Sequence, residues 1–163
     1  MKNLWAPWRL DYILDDREEG CIFCHAVNKN EDSVRHVAIR GDACFCILNK
    51  FPYNVGHLMI APNRHVSRLK ELDEAELVEM VTLAQRLEDV LTRMMRPDGF
   101  NIGFNLGKAA GAGIEAHLHL HIVPRWEGDT NFMPVLGDTR VVPQALDKFY
   151  DNLMNALAEE TDE

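Results

Sequence analysis

At 163 residues the chain has room for one domain with a sizeable core. Hydrophobic residues make up 47% and charged residues 26%, which excludes a disordered or fibrous chain. Acidic residues outnumber Lys plus Arg by 26 to 17, and the formal charge of −9 argues against general adhesion to nucleic acid or anionic membranes.

In chain order, residues 1–20 read as an N-terminal arm: an aromatic-basic head, Leu4-Trp5-Ala6-Pro7-Trp8-Arg9, then an acidic stretch over residues 15–19. Trp5 and Trp8 lean structural. No apolar run here or later approaches the ~20 residues that cross a bilayer, and no signal-peptide stretch is present, so a cytoplasmic location is expected. Residues 21–163 read as a single domain. Strands are expected over residues 34–40, 43–49 and 57–62, separated by the turn signals Gly41-Asp42 and Pro52-Tyr53-Asn54-Val55-Gly56. Their short connections favour antiparallel hairpins. Cys44 and Cys46, alternate residues of an apolar run, read as core.

The Asp-Glu-Ala-Glu sequence at Asp73 is a capping-box signal, and the helix it opens should run to Met95 before Arg96-Pro97-Asp98-Gly99 stops it. Leu77, Met80, Val81, Ala84, Leu87, Leu91, Met94 and Met95 recur at the spacing of one apolar face. Further strands, residues 100–106 and 117–124, flank the Gly/Ala-rich loop 107–113. A second amphipathic helix is expected over residues 143–157, with Leu146, Phe149, Tyr150, Leu153 and Leu157 inward, before a frayed tail at 159–163. This order predicts an α+β fold: a mainly antiparallel five-stranded sheet with one long and one C-terminal helix.

The segment His117-Leu118-His119-Leu120-His121-Ile122-Val123-Pro124 alternates polar and apolar residues. On an extended chain the three imidazoles project one way, about 7 Å from neighbour to neighbour, while Leu118, Leu120 and Ile122 enter the core. Imidazole titrates near neutrality, so the row offers a nucleophile, a proton donor or metal ligands. A metal-binding strand or a structural polar face would carry the same pattern.

Other local signals are weaker. The glycines of loop 107–113 would let backbone N–H groups approach phosphate oxygens, but ordinary turns have this composition too. Lys108 and Arg125 are nearby cations, or simply solvated charges. Trp126 could stack on a base or pack. Cys21-Ile22-Phe23-Cys24 has the spacing of half a tetrahedral metal site, and equally of a redox pair or two buried thiols.

Several of these motifs together, His-x-His-x-His with two apolar residues after it and Asn49 and Gly56-His57 upstream, resemble the histidine triad family over residues 21–126 and beyond. Within that family the chain looks most like the bacterial diadenosine tetraphosphate phosphorylases and their hydrolase relatives. The features are the Trp-Ala-Pro-Trp-Arg head, Gly111-Ala112-Gly113 before the triad, and the segment from Pro124 to Met133 after it.

The resemblance implies a nucleotidyl transferase acting on dinucleoside polyphosphates. His119 would be the nucleophile on the α-phosphorus, and phosphate would resolve the nucleotidyl-histidine. His121 and His57 would contact phosphate oxygens or assist the leaving group, and a backbone carbonyl would fix the His119 tautomer. Asn49 matches the position that bonds ribose hydroxyls; alone it reads as a strand-ending residue. Asn105, Gly111, Ala112 and Gly113 match the phosphate-binding positions. Many relatives carry Gln near Gly113, so contact there must come from backbone. His65 and His117 match the histidines that complete a structural zinc site with Cys21 and Cys24, whereas His25 and His36 match nothing and read as surface residues. A homodimer in which two sheets join is also implied. Other readings are a hydrolase or nucleoside phosphoramidase, and a nucleotide-binding module without turnover.

Overall fold

The computed structural model describes residues 20–129 and 145–160. The arm up to residue 19, with Trp5 and Trp8, lies outside the described residues, as do the segment 130–144 and the last three residues. Five strands, β1 (Val37–Arg40), β2 (Cys44–Leu48), β3 (Leu58–Pro62), β4 (Gly99–Phe104) and β5 (Leu120–Arg125), form one antiparallel sheet in the order β1-β2-β3-β5-β4. The helices are α1 (Ile22–Asn28), α2 (Asp32–Arg35), α3 (Glu74–Met95) and α4 (Leu146–Glu159). This is the α+β architecture expected. Two hairpins build β1 to β3, α3 carries the chain over the sheet to the far edge, and β5 returns between β3 and β4. The histidine-bearing strand is therefore central, paired on both sides.

Strand alternation gives the sheet two differently built faces. On one, Cys44, Cys46, Leu48, Leu58, Ile60, Leu118, Leu120 and Ile122 pack with Met80, Leu87 and Leu91 of α3 and with Phe149 and Leu153 of α4. On the other, Phe45, Ile47, Met59 and Ala61 form a smaller cluster with Phe23 and Ala26 of α1.

Helix α3 starts where the capping box places it: the Asp73 carboxylate accepts from the Glu76 N–H at 2.9 Å, and Glu76 accepts from the Asp73 N–H at 2.9 Å. Its inward face is rotated from the expected one. Leu77 and Val81 are 44% and 57% exposed, while Leu83 and Val90 are buried. Both flanks of the stripe are apolar, so periodicity alone cannot choose between them. The choice is made by α4, which lies along the Leu83/Val90 side and is tied there by Glu160 to Arg86 at 2.9 Å and to Arg93 at 2.7 Å. The tail is correspondingly anchored at Glu160 rather than frayed from Glu159.

The expected strand 34–40 is half helix. Asp32–Arg35 makes one turn, His36 takes a left-handed conformation with φ 56°, and β1 begins at Val37. His36 is no plain surface residue: its Nε2 lies 2.7 Å from Asp147 Oδ1, and its ring packs edge-on against Tyr150 at 5.4 Å. Strand β5 also starts later than expected, at Leu120, so His117 and His119 sit in the segment leading into it.

Candidate functional site

The α1 face of the sheet carries the imidazoles. His57 precedes β3, and His121 of β5 pairs in register with Met59 of β3 and Gly103 of β4. Gly56, at φ +78°, turns the chain into His57; a Cβ there would come within 3.0 Å of Pro124 and 3.1 Å of the Met95 sulfur, so only glycine fits. His57, His117, His119 and His121 are all buried, at 2%, 0%, 5% and 7% exposure. Leu118, Leu120 and Ile122 project to the opposite, helix-covered face.

Hydrogen bonds fix the tautomer of each ring in turn. His57 Nδ1 receives the Tyr53 backbone N–H at 3.0 Å and lies 3.2 Å from Asn49 Nδ2, so it is an acceptor and the proton sits on Nε2. That Nε2–H donates to His121 Nδ1 at 2.8 Å, which leaves His121 protonated on its own Nε2. Among the described residues, this buried His121 Nε2 has no hydrogen-bond partner. An unpaired buried donor costs about 1–3 kcal/mol, and an incoming acceptor would remove that cost. His119 donates Nδ1–H to the His117 carbonyl oxygen at 2.8 Å, so its Nε2 holds a lone pair.

The outcome is a neutral base at His119 beside a neutral donor at His121, with ring centroids 4.7 Å apart. Burial is the leading cause that lowers both, and proximity to His119 helps push His121 down to about 4. At neutral pH the pair thus presents one lone pair and one N–H, the complement of an electrophilic centre bearing an anionic oxygen.

Two aromatic residues that sequence reading passed over hold this row. Phe23 of α1, fully buried, packs on His119 at 4.9 Å and on His117 at 5.1 Å. Tyr53 packs on His57 at 4.6 Å and on His121 at 5.7 Å. Neither is near the triad in sequence, and an isolated Phe or Tyr has no spacing signature.

Of the expected nucleotide-contacting residues, Asn49 and Asn105 come to the imidazoles. Asn49 ends β2, accepts the Phe51 N–H at 2.9 Å, and faces His57. Asn105, just past β4, donates to the Tyr53 hydroxyl at 3.1 Å. Loop 107–113 leaves from Asn105 and rejoins the cluster at Ile114, which packs against the Phe23 group. Gly111 needs its glycine for φ +86°, and a Cβ at Gly111 or Gly113 would meet nothing within 4 Å, so this loop and Ala112 border open space. Gly103, opposite His121, is equally open.

Trp126 follows the far end of β5, seven residues beyond His119 and about 20 Å away at the rise of a strand. Arg125 is committed to Asp129, at 2.6 and 2.8 Å, and to Asn101 at 2.7 Å. It is not a free phosphate clamp.

The second cluster lies at the other end of the row. One nitrogen or sulfur each from Cys21, Cys24, His65 and His117 lie within 4.8 Å of one another. Cys24 Sγ is 3.1 Å from His65 Nδ1, Cys21 Sγ is 3.3 Å from His117 Nδ1, and Cys24 Sγ is 3.7 Å from the same nitrogen. The edges of a tetrahedral zinc site with these donors are on the order of 3.5 Å. His117 Nε2–H donates to the Pro62 carbonyl at 2.9 Å, which turns a bare Nδ1 toward the thiols. Burial, reinforced by Cys21, pushes the Cys24 thiol up, a cost that a divalent cation would cancel. The residues therefore fit zinc.

Helix α1, which carries Cys24 and follows directly on Cys21, is anchored by Arg40: its guanidinium donates to the carbonyls of Ala26 at 2.7 Å and Lys29 at 3.0 Å while pairing with Asp32. Cys44 and Cys46 stay in the core, burial pushing the former to about 12 and the latter further, so neither is a reactive thiol.

Residues 30–128 match the HIT domain family model. A Mycobacterium tuberculosis protein named AP-4-A phosphorylase is 38% identical over 154 residues, spanning 90% of this chain and 79% of that protein. Among solved structures, a Zn-bound histidine triad family protein from Mycobacterium smegmatis aligns with a TM-score of 0.70 and 29% identity, covering 88% of this chain and 98% of that one. A hypothetical histidine triad nucleotide-binding protein from Sulfolobus tokodaii aligns at 0.67 and 26%, covering 87% and 92%. With a match that spans all five strands and the histidine row, and a relative alike over most of its length, this protein belongs to the HIT domain family.

Proposed function

We propose that the protein is a nucleotidyl transferase that cleaves diadenosine tetraphosphate with inorganic phosphate as acceptor. The observation that carries this reading is the pair of adjacent nitrogens, a lone pair on His119 Nε2 and an unpartnered N–H on His121 Nε2. The similarity to a protein named AP-4-A phosphorylase supports the substrate class.

In the first step, the His119 Nε2 lone pair forms a bond to the α-phosphorus, and the bond from that phosphorus to the bridging oxygen breaks, releasing ATP. His121 Nε2–H donates to a phosphate oxygen as negative charge builds, and His57 holds His121 in the donor tautomer. In the second step a phosphate oxygen attacks the same phosphorus, the P–N bond breaks, and ADP leaves with the lone pair restored to His119. Asn49 is assigned to the ribose hydroxyls, and Asn105 with the backbone of Gly111, Ala112 and Gly113 to the phosphates. We leave Trp126 out of the site.

Zinc held by Cys21, Cys24, His65 and His117 is assigned a structural part, since four protein ligands close its coordination sphere. A homodimer through β4 is supported by that strand's edge position, unpaired among the described residues, and by Ile102 and Leu106, 44% and 49% exposed. Among the described residues no helix is long and apolar enough to cross a membrane. None of the four cysteines is in a disulfide, which suits the reducing cytoplasm.

Incubation of the protein with diadenosine tetraphosphate and labelled phosphate tests the reading. The label should appear in ADP; AMP and ATP as the only products would replace phosphate by water as acceptor, and no cleavage would reject the reading. Elemental analysis should find one zinc per chain, and Cys24→Ser should lose it and melt at lower temperature. A metal-free protein of unchanged stability would reject the zinc site.

A further inference from the structure

Tyr53 makes four links at once. Its N–H reaches His57 Nδ1 at 3.0 Å, its ring covers His57 at 4.6 Å and His121 at 5.7 Å, and its hydroxyl accepts from Asn105 Nδ2 at 3.1 Å. Tyr53 is 42% exposed. The His57 and His121 rings beneath it are 2% and 7% exposed, and their own centroids are 5.0 Å apart at an interplanar angle of 51°. The 2.8 Å bond joins the two rings at one nitrogen each, and the Tyr53 ring lies against both of them.

We infer that Tyr53 is a positioning residue for the reaction: its ring holds the His57–His121 pair dry and aimed, and its hydroxyl holds the Asn105 amide beside them. The inference rests on the proposed reading of His119 and His121 as the reacting pair. The titratable groups facing His121 are His57, His119 and Tyr53. Tyr53 lies against both the His57 and the His121 ring. Burial is the first cause that pushes His121 down to about 4, so a residue that supplies burial keeps His121 neutral at the pH of the reaction. The hydroxyl does separate work. It accepts from Asn105 Nδ2, and without it the amide is free to turn away from the phosphates.

The two parts are separable by substitution. In Tyr53→Ala, imidazole NMR should show the His121 titration midpoint rising by about one unit or more toward its ordinary ~6.5. In the same variant kcat for diadenosine tetraphosphate cleavage should fall by roughly tenfold to a hundredfold, with the acid limb of the pH profile shifted upward and KM changed less than about threefold. In Tyr53→Phe, the ring remains and the His121 midpoint should stay put, while KM rises several-fold. Melting temperature, followed in both, separates positioning from unfolding.

A folded Tyr53→Ala variant with an unmoved His121 midpoint and unchanged kcat overturns the inference. An unchanged KM in Tyr53→Phe overturns the hydroxyl's part. If Tyr53→Ala unfolds, Tyr53→Leu, which refills the space without an aromatic face, gives the same two readings. Absence of turnover in the unaltered protein would instead overturn the proposed function, and the NMR arm would still decide whether Tyr53 controls the pair.

Discussion

On the helix-covered face of the sheet, Leu118, Leu120 and Ile122 meet Met80, Leu87, Leu91 and Leu153, and nothing but area and shape decides the contacts. On the opposite face, alternate residues of the same segment, His117, His119 and His121, meet a backbone carbonyl, a second imidazole and two thiols through bonds at particular nitrogens. A few ångströms of polypeptide thus separate a surface that any well-packed hydrocarbon could replace from one where moving a single proton changes every partner. The lesson is that the polar face is nearly but not fully paired: among the described residues one buried side-chain N–H, on His121, is left over.

The sharpest break between the faces comes from reciprocal substitutions. His119→Ala should lower turnover by about four orders of magnitude or more if His119 is the nucleophile proposed, while melting stays close to that of the unaltered protein. Leu87→Ala, at a fully buried position under the sheet, should do the reverse. It should cost about 2–5 kcal/mol of stability and leave kcat within a few-fold at temperatures where the chain is folded. Urea melts and steady-state rates on both variants read this directly; a large stability loss in the first or a large rate loss in the second would mean the faces are coupled.

A smaller effect sharpens the contrast through pH. His121 is charged below about 6.5 in an unfolded chain but only below about 4 in the fold. Between those values the unfolded state binds more protons, so stability rises with pH across the window and is lost as pH falls from about 6.5 toward 4. The full difference is about 3 kcal/mol, an upper bound since water can enter the loosened site. Stability that stays level from pH 7 to pH 5 would show that the imidazole face is wetter than the packing implies.

What could be read in the amino-acid order followed the range of the interaction. The capping box at Asp73 and the alternation from His117 to Ile122 are local patterns: the helix opened as expected, and the histidines and apolar residues took opposite faces although the strand itself begins only at Leu120. The inward flank of α3 was illegible because apolar residues stand on both flanks and α4, sixty residues on, selects one. Residues 34–36 read as strand by composition, yet His36 finds Asp147 and Tyr150, more than a hundred positions away, and the chain bends to let it. At the site, half of the metal cluster is visible in Cys21 and Cys24, but His65 and His117 join from 41 and 93 positions beyond Cys24, distances no spacing rule reaches. Phe23 and Tyr53 gave no sign at all, because their part is defined by the rings they cover.

The bond that fixes the His119 tautomer has an unobvious implication for redesign. Its acceptor is the main-chain oxygen of residue 117, whereas the metal cluster uses that residue's ring. Any side chain at position 117 keeps the carbonyl, so the Cys/His cluster could be swapped out while the lone pair on His119 Nε2 stays set. An engineer could replace the Cys and His side chains of that cluster by a plain hydrophobic plug and still inherit the orientation of the His119 ring from the polypeptide itself.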